Sequence, residues 1–322
     1  MRSKDKKIEN ILLALLVGLL LGIGIFLIIG VNKNNFRYLI STRSVKILAM
    51  VLSGTCVAVS TLIFQTVTDS RILTPSVMGL DAMYGFLQTM TVFTLRRMIP
   101  SLTAPIPKFF ITIGLMILVS LFLQQFFTGK SKGKLLYMIL IGMVVGTFLD
   151  SLSSGLQMVM DPDEFLILQS SLFASYSRVN TTLLSISYAV AGAIFFWLRK
   201  DIRTLDVMSL GYSQSINLGL DYKKLLRKNL TIVGILVSIS TALVGPVAFL
   251  GLLTVNISKE LLKTYKHKYL IVGSIFMSIL SLIIGQLIVE KIFNNSFAVG
   301  TIINFVGGMY LLWILLKERR VG

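Results

Sequence analysis

The sequence predicts an all-α polytopic membrane protein with about ten transmembrane helices and both termini in the cytoplasm. Three observations lead there. Of 322 residues, 55% are hydrophobic and only 14% charged, yet the net charge is +17, a balance foreign to a large soluble domain. The apolar residues gather in runs of the length that ~30 Å of hydrocarbon requires, at roughly 11–31, 47–67, 77–95, 109–127, 135–159, 181–198, 230–257, 269–290 and 297–316. Lys and Arg sit in short clusters between these runs, as in loops at a membrane face; a nucleic-acid binder would spread them over a soluble surface.

The first run follows MRSKDKK. It is longer than the roughly 7 to 15 apolar residues of a signal peptide and no small-residue cleavage site follows it, so it reads as a retained first helix. The seventh run has 28 residues with Gly245-Pro246 near its middle, and both of its flanks are basic. If both flanks lie in the cytoplasm, the run crosses twice as a tight hairpin. Each arm would then hold only about 14 residues and need tilt or burial among neighbours. With ten crossings, 22 of the 31 Lys and Arg fall on inner segments. The other nine, Lys33, Arg37, Arg43, Lys46, Arg96, Arg97, Lys108, Arg178 and Lys291, fall outside.

Two segments between runs have character of their own. The outer segment 161–180 mixes polar and apolar residues and predicts a short helix started by Asp161-Pro162. The cytoplasmic loop 199–229 contains the polar island SLGYSQSINLGLDYKKLLRK with two Leu-Gly pairs, Leu210-Gly211 and Leu218-Gly219. Each glycine can end a short helix in a left-handed cap, which predicts a helix-turn-helix stub before KKLLRK leads into the next span. Gly18 with Gly22, and Gly142 with Gly146, are small-xxx-small pairs suited to close helix crossings.

Catalytic chemistry is missing. The single cysteine, Cys56, excludes an internal disulfide and any multi-cysteine metal site. QQFFTGKS at 124–131 ends like a phosphate-binding loop, but Gln124 stands where that loop needs glycine and no strand precedes it. The one histidine, His267, lies in a basic loop and is expected to be solvated. Asp81, Asp150 and Glu290 stand near or within apolar runs; a proton-coupled carrier needs ionisable groups at membrane depth, but Asp81 and Asp150 lie close to predicted helix ends. Gln65, Gln88, Gln157, Gln286 and Asn304 are polar without charge. Gln157 is either a translocation-surface residue or a helix-to-helix hydrogen-bond donor. The chain therefore reads as a pathway with no catalytic residue, cofactor or metal of its own, powered by an ion gradient or by a partner.

Four motifs then occur in order along one chain. TRSVKILAMVLSGTCVAVSTLIFQT supplies Arg43, Lys46, Gly54 and Gln65. SRILTPSVMG supplies Pro75 and Gly79, with Ser70 and Arg71 in place of Asn-Pro. GPVAFLGLLTVNISK supplies Gly245, Phe249, Gly251, Leu252 and Ile257, with Val255 and Asn256 in place of Pro-His and Lys259 in place of Arg. SFAVG keeps Gly300 before the last run. In these features the chain resembles the membrane permease subunit of bacterial iron-chelate and cobalamin importers of the ATP-binding-cassette (ABC) type. The departures resemble a subgroup of heterodimeric permeases for catecholate-type ferric siderophores.

The resemblance implies a type II ABC importer permease fold, a single transmembrane domain over 1–322, in the bacterial cytoplasmic membrane. It implies import of an intact ferric siderophore, with ATP and Mg used by a partner ATPase and no cofactor bound here. The implied partners are ABC ATPase subunits, an extracytoplasmic siderophore-binding protein and a second permease, a different chain or a second copy, with no nucleic acid. Leu210, Gly211, Leu218 and Gly219 would form the ATPase coupling loop. Arg43, Lys46 and Lys291 would meet carboxylates of the binding protein. Gly245, Pro246, Phe249, Gly251, Pro75 and Gly79 would form the hairpin and pathway motif. An ion-coupled secondary carrier and a membrane scaffold are the competing expectations.

Overall fold

A backbone in hydrocarbon must bond to itself, and the described residues do so almost entirely as helices. The computed structural model describes residues 2–29, 36–95, 104–125, 134–177 and 179–318. Lys33, Arg96, Arg97, Lys130, Lys132, Arg178, Arg319 and Arg320 lie outside the described residues, as does the end of QQFFTGKS. The elements are α1 (Arg2–Ile28), α2 (Phe36–Thr68), a 3-10 turn (Pro75–Met78), α3 (Leu80–Met90) continued by a π turn (Thr91–Leu95), α4 (Pro105–Gln125), α5 (Lys134–Gln157), α6 (Pro162–Leu172), α7 (Thr181–Leu198), α8 (Ile202–Met208), α9 (Tyr212–Asn217), α10 (Tyr222–Val244), α11 (Leu250–Leu262), α12 (His267–Lys291) and α13 (Val299–Glu318).

Among the described residues, seven helices are long and apolar enough to cross a membrane. The ten expected crossings fall on α1–α5, α7 and α10–α13, of which α3, with 11 residues, and α11, with 13, are the short ones. Asp5, Thr66, Asp206, His267 and Lys266 meet at the basic, inner end, and Arg43, Lys46 and Glu290 meet at the other, as alternation requires. The expected outer helix is α6, with Pro162 in its first turn.

Three helices begin earlier than hydropathy indicates, α1 at Arg2, α2 at Phe36 and α10 at Tyr222. Helical hydrogen bonding does not stop where apolarity does, and basic turns can extend a span into the headgroups. In α10 the start is set by Asp221, whose Oδ1 accepts the Lys224 amide at 3.2 Å. KKLLRK is therefore the first part of α10 and not a connector. This corrects the hairpin with two short arms: α10 has 23 residues and reaches ~34 Å, whereas α11 has 13 and reaches ~20 Å. Residues 245–249 between them are not helical, and Gly245 stands at φ 99°, where a β-carbon is strained.

α2 is the axis of the domain, packed against α10, α11 and α12, with Met50, Cys56, Leu62, Ile63 and Phe64 fully buried. Two polar clasps join it to α12. At the outer end Lys46 Nζ lies 2.7 Å from Glu290 Oε1, which also accepts Gln286 Nε2 at 2.8 Å, and Arg43 approaches the same carboxylate at 3.8 Å. At the inner end Thr66 Oγ1 lies 2.7 Å from His267 Nε2. The expected solvated histidine is instead 2% exposed. Its Nδ1 lies 2.8 Å from Asp206 of α8, which also accepts its amide at 2.7 Å.

The glycine pairs behave differently from each other. A β-carbon on Gly142 would come within 2.8 Å of the Val77 carbonyl and 2.9 Å of Met78 Cα, and one on Gly79, at φ 77°, within 2.9 Å of the Gly142 carbonyl. The pair Gly142–Gly146 thus lets α5 meet the backbone of the 3-10 turn. Gly18 has open space and Gly22 only ordinary contacts, so that pair makes no close crossing.

Gly142→Val should therefore cost about 1–3 kcal/mol from overpacking, while Gly18→Ala should stay within about 0.5 kcal/mol; thermal unfolding of the purified chain in lipid nanodiscs reads both. Glu290→Gln should cost up to about 3 kcal/mol, because it leaves largely buried cations without an anion. Removing Lys46 in the same molecule should recover part of that loss in a double-mutant cycle.

Candidate coupling loop, docking surface and inner cavity

The cytoplasmic island folds as the stub its Leu-Gly pairs predict, but its two glycines act differently. Gly219, at φ 83°, ends α9 with its amide on the Ile216 carbonyl at 2.9 Å and the Leu220 amide on the Ser215 carbonyl at 3.1 Å, a Schellman cap. Gly211, at φ 91° and ψ 170°, begins α9 and caps nothing in the left-handed sense. Ser215 is buried, and its Oγ bonds the carbonyls of Val207 and Gly211 at 3.0 and 2.7 Å, tying α9 to α8. Tyr212 stands edge-on to Tyr222 of α10 at 5.1 Å. The stub is thus rigid, and it holds Leu210, Tyr212, Ile216 and Leu218 outward, 40–62% exposed. Four apolar side chains are turned to water on one small element, an exposed apolar patch.

This surface is tied to the bundle at two points. Asp206, five residues before Gly211, holds His267 at the head of α12. Asp201 pairs with Lys228 of α10, whose ammonium lies 4.2 Å from the Trp197 ring centroid. A third inner pair, Lys266 with Asp5 at 3.1 Å, ties α1 to the same corner. None of these partners was legible in the sequence, because each joins residues far apart in the chain.

At the outer end the three expected docking cations divide. Arg43 is 8% exposed, and its Nη1 donates to the carbonyls of Phe26, Leu27 and Ile29 at 2.8, 3.2 and 2.6 Å, closing the C-terminus of α1. Lys46 is paired to Glu290. Lys291, next to that glutamate, is exposed. Glu290 is the residue sequence reading undervalued; a lone acid near the end of an apolar run, four residues after Gln286, was its available signal.

The hairpin motif converges with the outer segment. Gly245 leaves no room for a β-carbon beside Ala174 (2.9 Å to its Cα), and Gly300 likewise (2.9 Å to its Cβ). The Ser175 amide donates to the Val244 carbonyl at 2.8 Å. Pro246 lies in the same break. Phe249 packs on Gly307, and its amide donates to Asn304 Oδ1 at 3.4 Å. Gly251 packs on Thr61 of α2. Pro75 begins the 3-10 turn that ends at Gly79. Gln157 Nε2 lies 3.5 Å from Thr89 Oγ1, a helix-to-helix contact between α5 and α3. Asp150 is exposed on α5, and Asp81 bonds Ser76.

Among the described residues, cavities lie at both ends of the bundle. The outer, about 430 Å³, is lined by Tyr84, Gln88, Lys108, Thr112, Ser171 and Asn180 among others. The inner, about 850 Å³, gathers Gln65, Arg71, Asn256, Lys259, His267 and Trp313 with further residues. There Gln65 Nε2 and Asn256 Nδ2 each donate to the Arg71 carbonyl at 2.9 Å, and Lys259 Nζ donates to Gln65 Oε1 at 2.7 Å. Among the described residues no group of three or more His, Cys, Asp or Glu could hold a metal.

Comparison with known proteins agrees with this geometry. The chain is 45% identical over 310 residues, 96% of its length and 98% of the relative's, to the petrobactin import system permease protein YclO of Bacillus subtilis strain 168. It is 23% identical over 298 residues, 89% of each chain, to YclN, the petrobactin import system permease protein of the same organism. A solved structure of a metal-chelate type ABC transporter in an inward-facing conformation superposes with a TM-score of 0.84 at 19% identity, covering 96% of this chain and 99% of that one. The model of the FecCD transport family matches residues 10–317, and the chain, a multi-pass membrane protein, belongs to that family.

Proposed function

We propose that this chain is the permease subunit of an ABC importer that carries an intact ferric siderophore inward across the bacterial cytoplasmic membrane, driven by ATP hydrolysed on a separate subunit. The observation that carries the reading is the rigid α8–α9 stub. It presents Leu210, Tyr212, Ile216 and Leu218 to the cytoplasm as one exposed apolar patch. Relatives named as petrobactin import permeases make ferric petrobactin the first chelate to test.

The mechanism follows from the mechanical connections. A nucleotide-driven movement of ATPase subunits gripping Leu210–Gly211 and Leu218–Gly219 would pull on α8. Asp206 would pass the pull to His267, and so to α12 and its partner α2. Rocking of such a clasped pair opens one cavity as it closes the other, which is alternating access without chemistry in this chain. ATP and Mg stay on the ATPase, and this chain binds neither. The chelate crosses whole, since no group lining either cavity resembles a site for reducing or extracting iron.

A second permease completes the channel. Bacillus subtilis has two distinct permeases named for petrobactin, and this chain is nearer to one (45%) than to the other (23%), which favours a heterodimer over two copies. On the outer face the binding protein would meet Lys291 first. Arg43 and Lys46 stand behind it, with Glu290 competing for any incoming carboxylate.

Leu210→Asp with Leu218→Asp should abolish co-purification with the ATPase while membrane insertion and thermal stability survive; retained association would remove the coupling assignment. In cells, uptake of ferric petrobactin labelled with 55Fe and 14C should be lost on deletion of this chain. In cells that carry it both labels should enter at the ratio of the complex, and entry of iron without the chelate would contradict intact transport.

A further inference from the structure

We infer that the inner cavity is a binding site for a small anion bearing carboxylate or phosphate groups, seated on Lys259 with Arg71 and Lys263 beside it. The cavity opens at the basic end of the bundle, and its volume of about 850 Å³ is within the range of small-molecule sites. Its charged lining is Asp69, Arg71, Lys259, Glu260, Lys263 and Lys317. Glu260 lies 3.9 Å from Lys317, which leaves three cations facing a single further carboxylate.

Lys259 is the centre of the imbalance. It is partly buried, its ammonium donates to the neutral Gln65 Oε1, and among the described residues no carboxylate lies within ion-pair distance of it. Arg71 is near enough for the two charges to repel. A partly buried ammonium with a second cation beside it is costly unless an anion sits with it. The site is also built in advance. Gln65 and Asn256 both hold the Arg71 carbonyl, fixing that loop against α11. Tyr310 and Trp313, stacked 5.8 Å apart, form a flat wall from α13. Ser70, Arg71, Asn256 and Lys259, from two segments far apart in the chain, all line this one cavity.

Such an anion could be a soluble molecule or the headgroup of an anionic lipid. The inference goes beyond the proposed transport activity, and its test uses neither ATPase nor gradient, so failure here leaves that activity standing. The chain has two tryptophans, and Trp197→Phe makes Trp313 the sole reporter. The full-length W197F protein, in phosphatidylcholine nanodiscs, is titrated with citrate. We expect a saturable change in Trp313 emission that inorganic phosphate competes away. Lys259→Gln should weaken it roughly tenfold or more, while Lys259→Arg should keep most of it. If Lys259→Gln fails to fold, Arg71→Gln, at an exposed position, serves in its place. Loss of the citrate response in phosphatidylglycerol nanodiscs identifies a headgroup as occupant, and its persistence there identifies a soluble anion. No saturable response in phosphatidylcholine, or an unchanged response in the variants, overturns the site.

Discussion

The structure depends on how α2 and α12 are held together across the membrane. These helices run antiparallel, and each end of the pair is closed by polar groups that would be costly alone in hydrocarbon. Lys46 and Glu290 close the outer end, and Thr66 and His267 the inner end. Between them the seam is mostly apolar, with Gly54 of α2 seated against Ser278, Ile279 and Leu282 of α12. The clasps supply the register: sliding either helix by one turn would separate both pairs at once.

Everything functional is hung on that frame. The α8–α9 stub reaches it through Asp206 and His267, α1 through Arg43 and the Lys266–Asp5 pair, and the hairpin through Gly251 on Thr61. A force applied at the stub therefore meets a stiff element that runs to the opposite face. The neighbouring segments are interrupted where that element is continuous. α10 and α11 are separated by the non-helical stretch 245–249, and the outer segment around Ala174 wedges between that break and the start of α13. In the proposed importer the clasped pair is the lever and these breaks are the hinges.

Much of this was legible in the sequence. Hydropathy and Lys/Arg placement gave the ten crossings and the inner position of the island, since both follow from transfer energies that act residue by residue. Glycine positions gave the stub and the hairpin break for the same local reason. What stayed hidden was pairing. His267 was expected in solvent because its neighbours in sequence are basic, yet its neighbours in space are Asp206 and Thr66. The family resemblance implied that Arg43 and Lys46 face a partner, yet within this chain α1 carbonyls and Glu290 receive them. Helix starts were misjudged where polar turns continue a helix past its apolar part, which made α10 seem short.

The central claim is that the chain is a passive pathway moved from its cytoplasmic end. The direct measurement is 55Fe-petrobactin entry into proteoliposomes holding the complete importer with its binding protein, supplied in turn with ATP at the ATPase face and with a proton gradient. The account predicts entry with ATP and no gradient, and none with the gradient alone. Entry that follows the gradient and ignores ATP would contradict it.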